Sequence, residues 1–171
     1  KIKIALTSTA KVISGDFERG ANSSENIRSK DLNSIKIDDL QDPGDFIKLR
    51  AETDSAALKK KFSNQSIFKK NLPSNNSSKI LYKIAEKTRY ELLGAKMFKG
   101  IEKNLIENYN QIISHKNKDQ YKTKKDVPVS EAFELFMLKN FYNTQLSPLT
   151  KKMLSFWEES FEKSVNKHKK F

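Results

Sequence analysis

Glu86, Arg89 and Glu91 are the residues whose types and spacing come closest to a group of side chains with chemistry to perform. Glu86 and Arg89 are three residues apart, so on a helix they share a face and can form an ion pair. Such a pair alone stabilises a helix by only about 0.2–0.5 kcal/mol. The alternative is that Arg89 and Glu91 bond to neighbouring helices. We favour a structural role of this group over catalysis.

Common catalytic and nucleotide-binding motifs are absent from the sequence. It has no G-x-x-x-x-G-K-[ST] or G-x-G-x-x-G phosphate loop, no G-x-S-x-G and no H-E-x-x-H. The absence of cysteine excludes disulfides and thiolate metal ligands. His115 lies at a predicted helix end and His168 in a lysine-rich tail, so we interpret both as surface residues rather than metal ligands. The sequence therefore predicts no catalytic, cofactor-binding or metal-binding residue.

The three charged residues lie within the longest helical pattern of the sequence, residues 77–115. Its first half has one apolar stripe, at spacings of three and four residues, formed by Leu81, Ile84, Ala85, Thr88, Leu92 and Ala95. Beyond Gly100 the stripe points in another direction and consists of Ile101, Leu105, Tyr109 and Ile112. Because a straight helix cannot present both stripes to one core, we predict a break or sharp kink between Gly94 and Gly100.

The segments before this helix also favour helical structure. Residues 2–13 fit either a strand or a helix, and we prefer a helix that ends at Gly15. Asp42 and Pro43 form a helix-start signal for a helix that extends to Phe62.

Three more helical segments complete the pattern. Residues 64–71 predict a short helical piece with Ile67 and Phe68 turned inward. The next helix has one apolar face, formed by Val129, Ala132, Phe133, Phe136, Met137 and Phe141. A last helix opens at Ser147 and Pro148, and its face consists of Leu149, Met153, Phe156, Trp157, Phe161 and Val165. We assign Trp157 to the core.

The predicted fold is all-α, with five to six helices packed in one domain and a long central helix broken near Gly94–Gly100. Residues 1–43 would be an N-terminal element followed by a flexible polar segment, because residues 16–42 are polar and have no sustained period. Residues 44–171 would form the helical domain. The chain has no apolar run long enough to span a bilayer and no signal peptide at its start, so we expect a cytoplasmic protein.

The net charge of +12 fits either a nucleic-acid-binding surface or a solvated surface rich in lysine. Arginine is the preferred residue for bidentate phosphate and base contacts, and only four of the 33 basic residues are arginines. The lysines are spread along the sequence, with short clusters at residues 59–61, 122–125 and 167–170. We therefore favour a solvated lysine surface over a nucleic-acid site. A basic face for an acidic protein partner fits the same data.

Ten residues between positions 86 and 105 form the pattern E-x-x-R-x-E-x-L-G-A-x-M-x-x-G-x-x-x-N-L. These signature residues are Glu86, Arg89, Glu91, Leu93, Gly94, Ala95, Met97, Gly100, Asn104 and Leu105. The pattern resembles the CobT subunit family of aerobic cobaltochelatase, from the cobalamin pathway. An earlier segment, R-x-x-x-D-x-x-A-L, matches that family at Arg50, Asp54, Ala57 and Leu58. The resemblance covers about residues 44–160.

The resemblance implies a subunit of an ATP-dependent enzyme that inserts Co²⁺ into hydrogenobyrinic acid a,c-diamide. In that enzyme a large subunit holds the macrocycle, while an AAA+ subunit and CobT form a ring-like motor complex. The family's C-terminal domain, which carries a D-x-S-x-S metal site, has no counterpart in this sequence. The chain would therefore be the N-terminal helical domain, a non-catalytic assembly domain.

The resemblance also implies cofactors and partners. The complex would use ATP, Mg²⁺ and Co²⁺, and this chain would bind none of them by itself. Its partners would be the AAA+ subunit and the large macrocycle-binding subunit, with self-association also open. We expect no membrane contact, and the scarcity of arginine disfavours nucleic acid. The alternative that the composition leaves open is a basic helical nucleic-acid-binding module.

Overall fold

The structure of the chain is a computed structural model. Its described part contains eight α-helices and one 3-10 helix. The structure describes residues 2–15, 42–115, 121–142 and 145–168. The helices are α1 Ile2–Ser14, α2 Pro43–Phe62, α3 Gln65–Lys70, α4 Asn76–Met97, α5 Lys99–Ser114, α6 Val129–Tyr142, α7 Pro148–Ser155 and α8 Glu158–His168, with the 3-10 helix Lys124–Asp126 before α6. No strand occurs in these ranges. The predicted all-α class is confirmed, with slightly more helices than the five to six expected.

Capping side chains set the starts of four helices, and one of them is Asn64 at the start of α3. The Oδ1 atom of Asp42 accepts a hydrogen bond from the Asp45 amide at 2.9 Å, and Pro43 occupies the first turn of α2. Ser147 caps α7 in the same way, and Asn75 caps α4. The first segment is a helix rather than a strand, and it ends at Gly15, whose φ of 77° lies in the left-handed region.

The predicted break of the central helix is confirmed and falls at one residue, Phe98. Phe98 is extended, with φ −133° and ψ 94°, between the last residue of α4 and the first of α5. Its amide donates to the Gly94 carbonyl at 2.8 Å, and its own carbonyl accepts from the Ile101 amide at 2.9 Å. Two helices that point in different directions therefore replace the single straight one.

Helix α2 lies at the centre of one half of the fold, where it packs against α1, α4 and α5. Gly94 of α4 is buried against Leu58 of α2, close enough that an added Cβ would overlap both methyl groups of Leu58. Helix α4 also packs against α6, and α6 packs against both α7 and α8. In that second half, Phe136 and Phe133 of α6 meet Phe161 of α8 at ring-centre distances of 5.3 and 5.4 Å.

Some apolar side chains predicted to face the core are exposed. Ile67 is 58% exposed, Phe141 53%, Ile112 48% and Val165 38%, so these four assignments were wrong. In α5 the inward residue is Ile113, one position further along, and one position turns a side chain by about 100°. Phe68 does turn inward, where its ring packs 5.2 Å from that of Tyr82.

The last predicted helix is two helices, α7 and α8, separated at Phe156 and Trp157. The indole Nε1 of Trp157 donates to the Val127 carbonyl at 3.2 Å, and the Lys124 ammonium lies 4.2 Å from the ring centre. Trp157 is half-buried and packs against the core, as expected. The segment predicted to be flexible, residues 16–42, lies outside the described residues apart from Asp42, and the division at residue 43 stays a prediction.

Candidate functional site

A cluster of hydrogen-bonded polar side chains joins α2, α4 and α5. We call Asp54, Ser55, Glu91, Asn104 and Tyr109 the polar centre. The Ser55 hydroxyl donates to Glu91 Oε1 at 2.5 Å, and the Tyr109 hydroxyl donates to Glu91 Oε2 at 2.7 Å. Next to them, Asn104 Nδ2 donates to Asp54 Oδ2 at 2.7 Å. Two adjacent residues of α2 therefore hold α4 and α5.

Burial governs the ionisation of this centre. The Glu91 side chain is fully buried, and burial raises its pKa above the usual range, opposed by the positive charge of Lys87. Burial also raises the pKa of Asp54, although the Asn104 amide and Arg50 act in the opposite direction. The pKa of Tyr109 is raised by burial and by the neighbouring Glu91. Burial therefore acts in the same direction on all three groups and raises the pKa of each.

Glu86 and Arg89 form a second contact, at the end of α2. Arg89 donates through Nε to Glu86 Oε2 at 2.7 Å and through Nη2 to Glu86 Oε1 at 2.8 Å. The same Nη2 donates to the carbonyl of Phe62, the last residue of α2, at 2.8 Å. Ser63 completes the group by donating to Glu86 Oε1 at 2.7 Å. The hydrogen bond from Arg89 is the main reason that the pKa of Glu86 is lowered.

Glu91 does not join this pair, because it projects from another face of α4. Each of the three charged residues instead contacts a neighbouring segment: Glu91 bonds to Ser55 and Tyr109, Arg89 to Phe62 and Glu86 to Ser63.

A groove of about 710 Å³ opens above the polar centre between α1, α2, α4 and α5. Its lining includes Ser55, Tyr90, Glu91 and Tyr109. Lysines also line it: Lys59, Lys60 and Lys87. The Lys87 ammonium lies 5.1 Å from the centre of the Tyr109 ring and 3.8 Å from Glu134 Oε1. We call this the α2 groove. Its volume falls in the range of about 300–1,000 Å³ typical of ligand sites.

The other signature residues divide into buried and exposed groups. Gly94, Ala95 and Leu105 are buried in the packing of α4 and α5. Leu93, Met97 and Gly100 are exposed and belong to neither the polar centre nor the α2 groove.

The two sequence segments that carry the resemblance meet in space. Asp54 of the earlier segment bonds to Asn104 of the signature, and Leu58 packs against Gly94. Sequence reasoning missed Ser55 as a partner and assigned Tyr109 only to an apolar stripe. A signal for the site was available in Asp54, a carboxylate set between apolar residues on the buried side of α2.

Metal-ligating residues do not gather within the described ranges: no group of three or more histidine, aspartate or glutamate side chains there could hold an ion. His115 is exposed, with Nδ1 2.7 Å from the Gln111 carbonyl oxygen, and the side chain of His168 lies outside the described residues. No helix in the described part is long and apolar enough to cross a membrane.

Comparison with protein-family models gives a match over nearly the whole chain. Residues 1–169 fit the family model described as "Cobalamin biosynthesis protein CobT". No curated protein and no solved structure matches the chain. The match covers nearly the whole sequence and includes both segments that meet at the polar centre. The chain therefore belongs to the CobT family, which has a role in cobalamin biosynthesis.

Proposed function

We propose that this chain is a non-catalytic assembly domain of the ATP-dependent aerobic cobaltochelatase, which inserts Co²⁺ into hydrogenobyrinic acid a,c-diamide. Family membership supports the pathway. The observation that supports a structural, assembly role is that both carboxyl oxygens of Glu91 accept hydrogen bonds from neighbouring helices. A carboxyl group engaged in this way stabilises the arrangement of α2, α4 and α5.

The remaining chemistry of the enzyme then belongs to its other subunits. In this proposal the AAA+ subunit binds ATP and Mg²⁺, and the large subunit binds the macrocycle that receives Co²⁺. The described residues of this chain form no cluster suited to Mg²⁺ or Co²⁺. The chain would contact the AAA+ subunit, the large subunit or further copies of itself, in the cytoplasm.

Co-purification tests this proposal. The chain is mixed with the AAA+ cobaltochelatase subunit of the same source in ATP and Mg²⁺, at low and at moderate salt, with ADP as the nucleotide control. We expect a stoichiometric complex that survives moderate salt. Absence of a complex under every condition, together with salt-sensitive binding to random DNA, would contradict the assembly role.

A nucleic-acid-binding module is the second candidate, and one observation favours it. It requires the lysines to converge on one part of the surface. Although they are spread along the sequence, residues 59–89 bring many of them together on α2, α3 and α4. The surface that they form is considered next.

A further inference from the structure

The end of the molecule formed by residues 59–89 is strongly basic. It comprises the last residues of α2, all of α3 and residues 76–89 of α4. This segment contains eight lysines, one arginine and one glutamate, Glu86. From outside the segment, Glu134 lies 3.8 Å from the Lys87 ammonium, and Glu52 lines the α2 groove. The cationic residues are Lys59, Lys60, Lys61, Lys69, Lys70, Lys79, Lys83, Lys87 and Arg89. We call this surface the basic end.

Contacts between the helices hold the basic end in one arrangement. Arg89 of α4 bonds to the carbonyl of Phe62, the last residue of α2. The ring of Phe68 in α3 packs 5.2 Å from that of Tyr82 in α4. Most of the lysine side chains remain exposed on this framework, so their charges act together on an approaching partner.

Apolar side chains are exposed among these lysines. Ile67 on α3 is 58% exposed and Ile80 on α4 is 49% exposed. The α2 groove opens at the same end, because Lys59, Lys60 and Lys87 line it together with the aromatic side chains of Tyr90 and Tyr109. The surface thus offers positive charge, apolar contact and a concave site side by side.

We propose that the basic end and the α2 groove bind an acidic polypeptide segment of a partner protein, whose carboxylates meet the lysines while its apolar side chains contact Ile67, Ile80 and the groove. This inference rests on the proposed assembly role and names the chemistry of the contact. Complementary charge of this kind speeds association and selects the partner, while the apolar contacts contribute most of the affinity.

The details of the surface favour a polypeptide over nucleic acid. Its one arginine is already engaged, since Nε and Nη2 of Arg89 bond to Glu86 and Phe62. An arginine guanidinium presents a planar fork that matches phosphate oxygens bidentately, whereas a lysine ammonium acts as a compact point charge. Exposed isoleucines contact apolar side chains of a peptide but gain little from a phosphate backbone.

Two charge-reversal variants of the full chain test the proposal. Lys69→Glu/Lys70→Glu changes an adjacent exposed pair on α3, and Lys151→Glu/Lys152→Glu makes the same change in net charge on α7. Both pairs are exposed, and circular dichroism verifies that each variant folds. The probes are a fluorescein-labelled peptide of Leu-Glu-Glu-Asp repeats and a labelled random DNA duplex, titrated at the same salt concentration by anisotropy.

We expect the chain to bind the peptide, the α3 variant to weaken this binding by about tenfold or more, and the α7 variant to change it by less than about twofold. Equal losses in both variants would overturn the proposal, because they would reflect net charge alone. Binding of DNA but not of peptide would overturn it in favour of the nucleic-acid candidate.

The two variants also separate this inference from the assembly role. If the AAA+ subunit binds both variants equally, a complex exists but does not use the basic end, and only the inference fails. If the AAA+ subunit binds no form of the chain while the peptide titration behaves as expected, the assembly role with that subunit fails and the acidic-segment site stands.

Discussion

Replacing Gly94 by alanine tests the close approach of α4 and α2. A Cβ built at this position would lie 2.8 Å from the Cγ of Leu58 and closer still to both of its methyl carbons. Leu58 is fully buried, so it has no open space into which to move. Gly100 supplies a matched control, because a Cβ there meets nothing within 4 Å.

The two substitutions should therefore act in opposite directions. Overpacking of a tight contact costs about 1–3 kcal/mol, and alanine regains up to about 1 kcal/mol over glycine inside a helix. We expect Gly94→Ala to lower the free energy of unfolding by about 1–2 kcal/mol. Gly100→Ala has only the second contribution and should raise the free energy of unfolding by about 0.5–1 kcal/mol.

Urea unfolding of the wild-type chain and both variants measures this difference. Far-UV circular dichroism follows the helices, and fluorescence of the single tryptophan, Trp157, follows the half of the fold around α6. Coincident transitions justify a two-state treatment. If Gly94→Ala proves as stable as Gly100→Ala, the contact with Leu58 does not restrain the helices and the reasoning is wrong.

Three further predictions concern the polar groups. Burial raises the pKa of Glu91 above 4.5, so between 4.5 and the raised pKa the folded chain holds a proton that the unfolded chain releases. The free energy of unfolding should therefore fall as pH rises through this range. Urea unfolding at a series of pH values measures this profile, and Glu91→Gln should flatten it. Tyr109→Phe removes a donor from a buried carboxyl oxygen and should lower the free energy of unfolding by about 1–3 kcal/mol. The control is Tyr142→Phe, since the buried hydroxyl of Tyr142 has no hydrogen-bond partner among the described residues, and a loss as large as that of Tyr109→Phe would contradict the argument. Arg89→Ala should lower the free energy of unfolding by about 1 kcal/mol or less, because the side chain is 47% exposed, and the melting temperature should fall only slightly. A larger loss of stability would show that its hydrogen bond to Phe62 contributes more than we infer.

Local signals in the sequence predicted much of the fold. Helix α2 begins where Asp42 and Pro43 indicated, and the central helix breaks between the two glycines because its apolar stripe changes direction there. Such signals act over a few residues and depend on backbone preference and periodicity. They failed where a helix boundary depends on a contact with a distant part of the chain. The break near Trp157, for example, accompanies a hydrogen bond to Val127, 30 residues earlier.

The candidate site was less predictable than the fold. Glu91 was selected as part of a charged group, yet its partners are Ser55, 36 residues before it, and Tyr109, 18 residues after it. Nothing in local spacing distinguishes a buried glutamate with such partners from a solvated one. The basic end was missed for a related reason: lysines that form short clusters in the sequence become neighbours only when Phe68 packs against Tyr82 and joins α3 to α4.

The bonds of the polar centre have a mechanical consequence for the corner at Phe98. Helices α2, α4 and α5 are tied in pairs by Ser55 to Glu91, Asp54 to Asn104 and Tyr109 to Glu91. Three helices that are bonded to one another in all three pairs keep their mutual angles even where one connection between them is flexible. The angle between α4 and α5 therefore does not depend on the stiffness of Phe98. Because both helices are also bonded to α2, we expect α4 and α5 to move together.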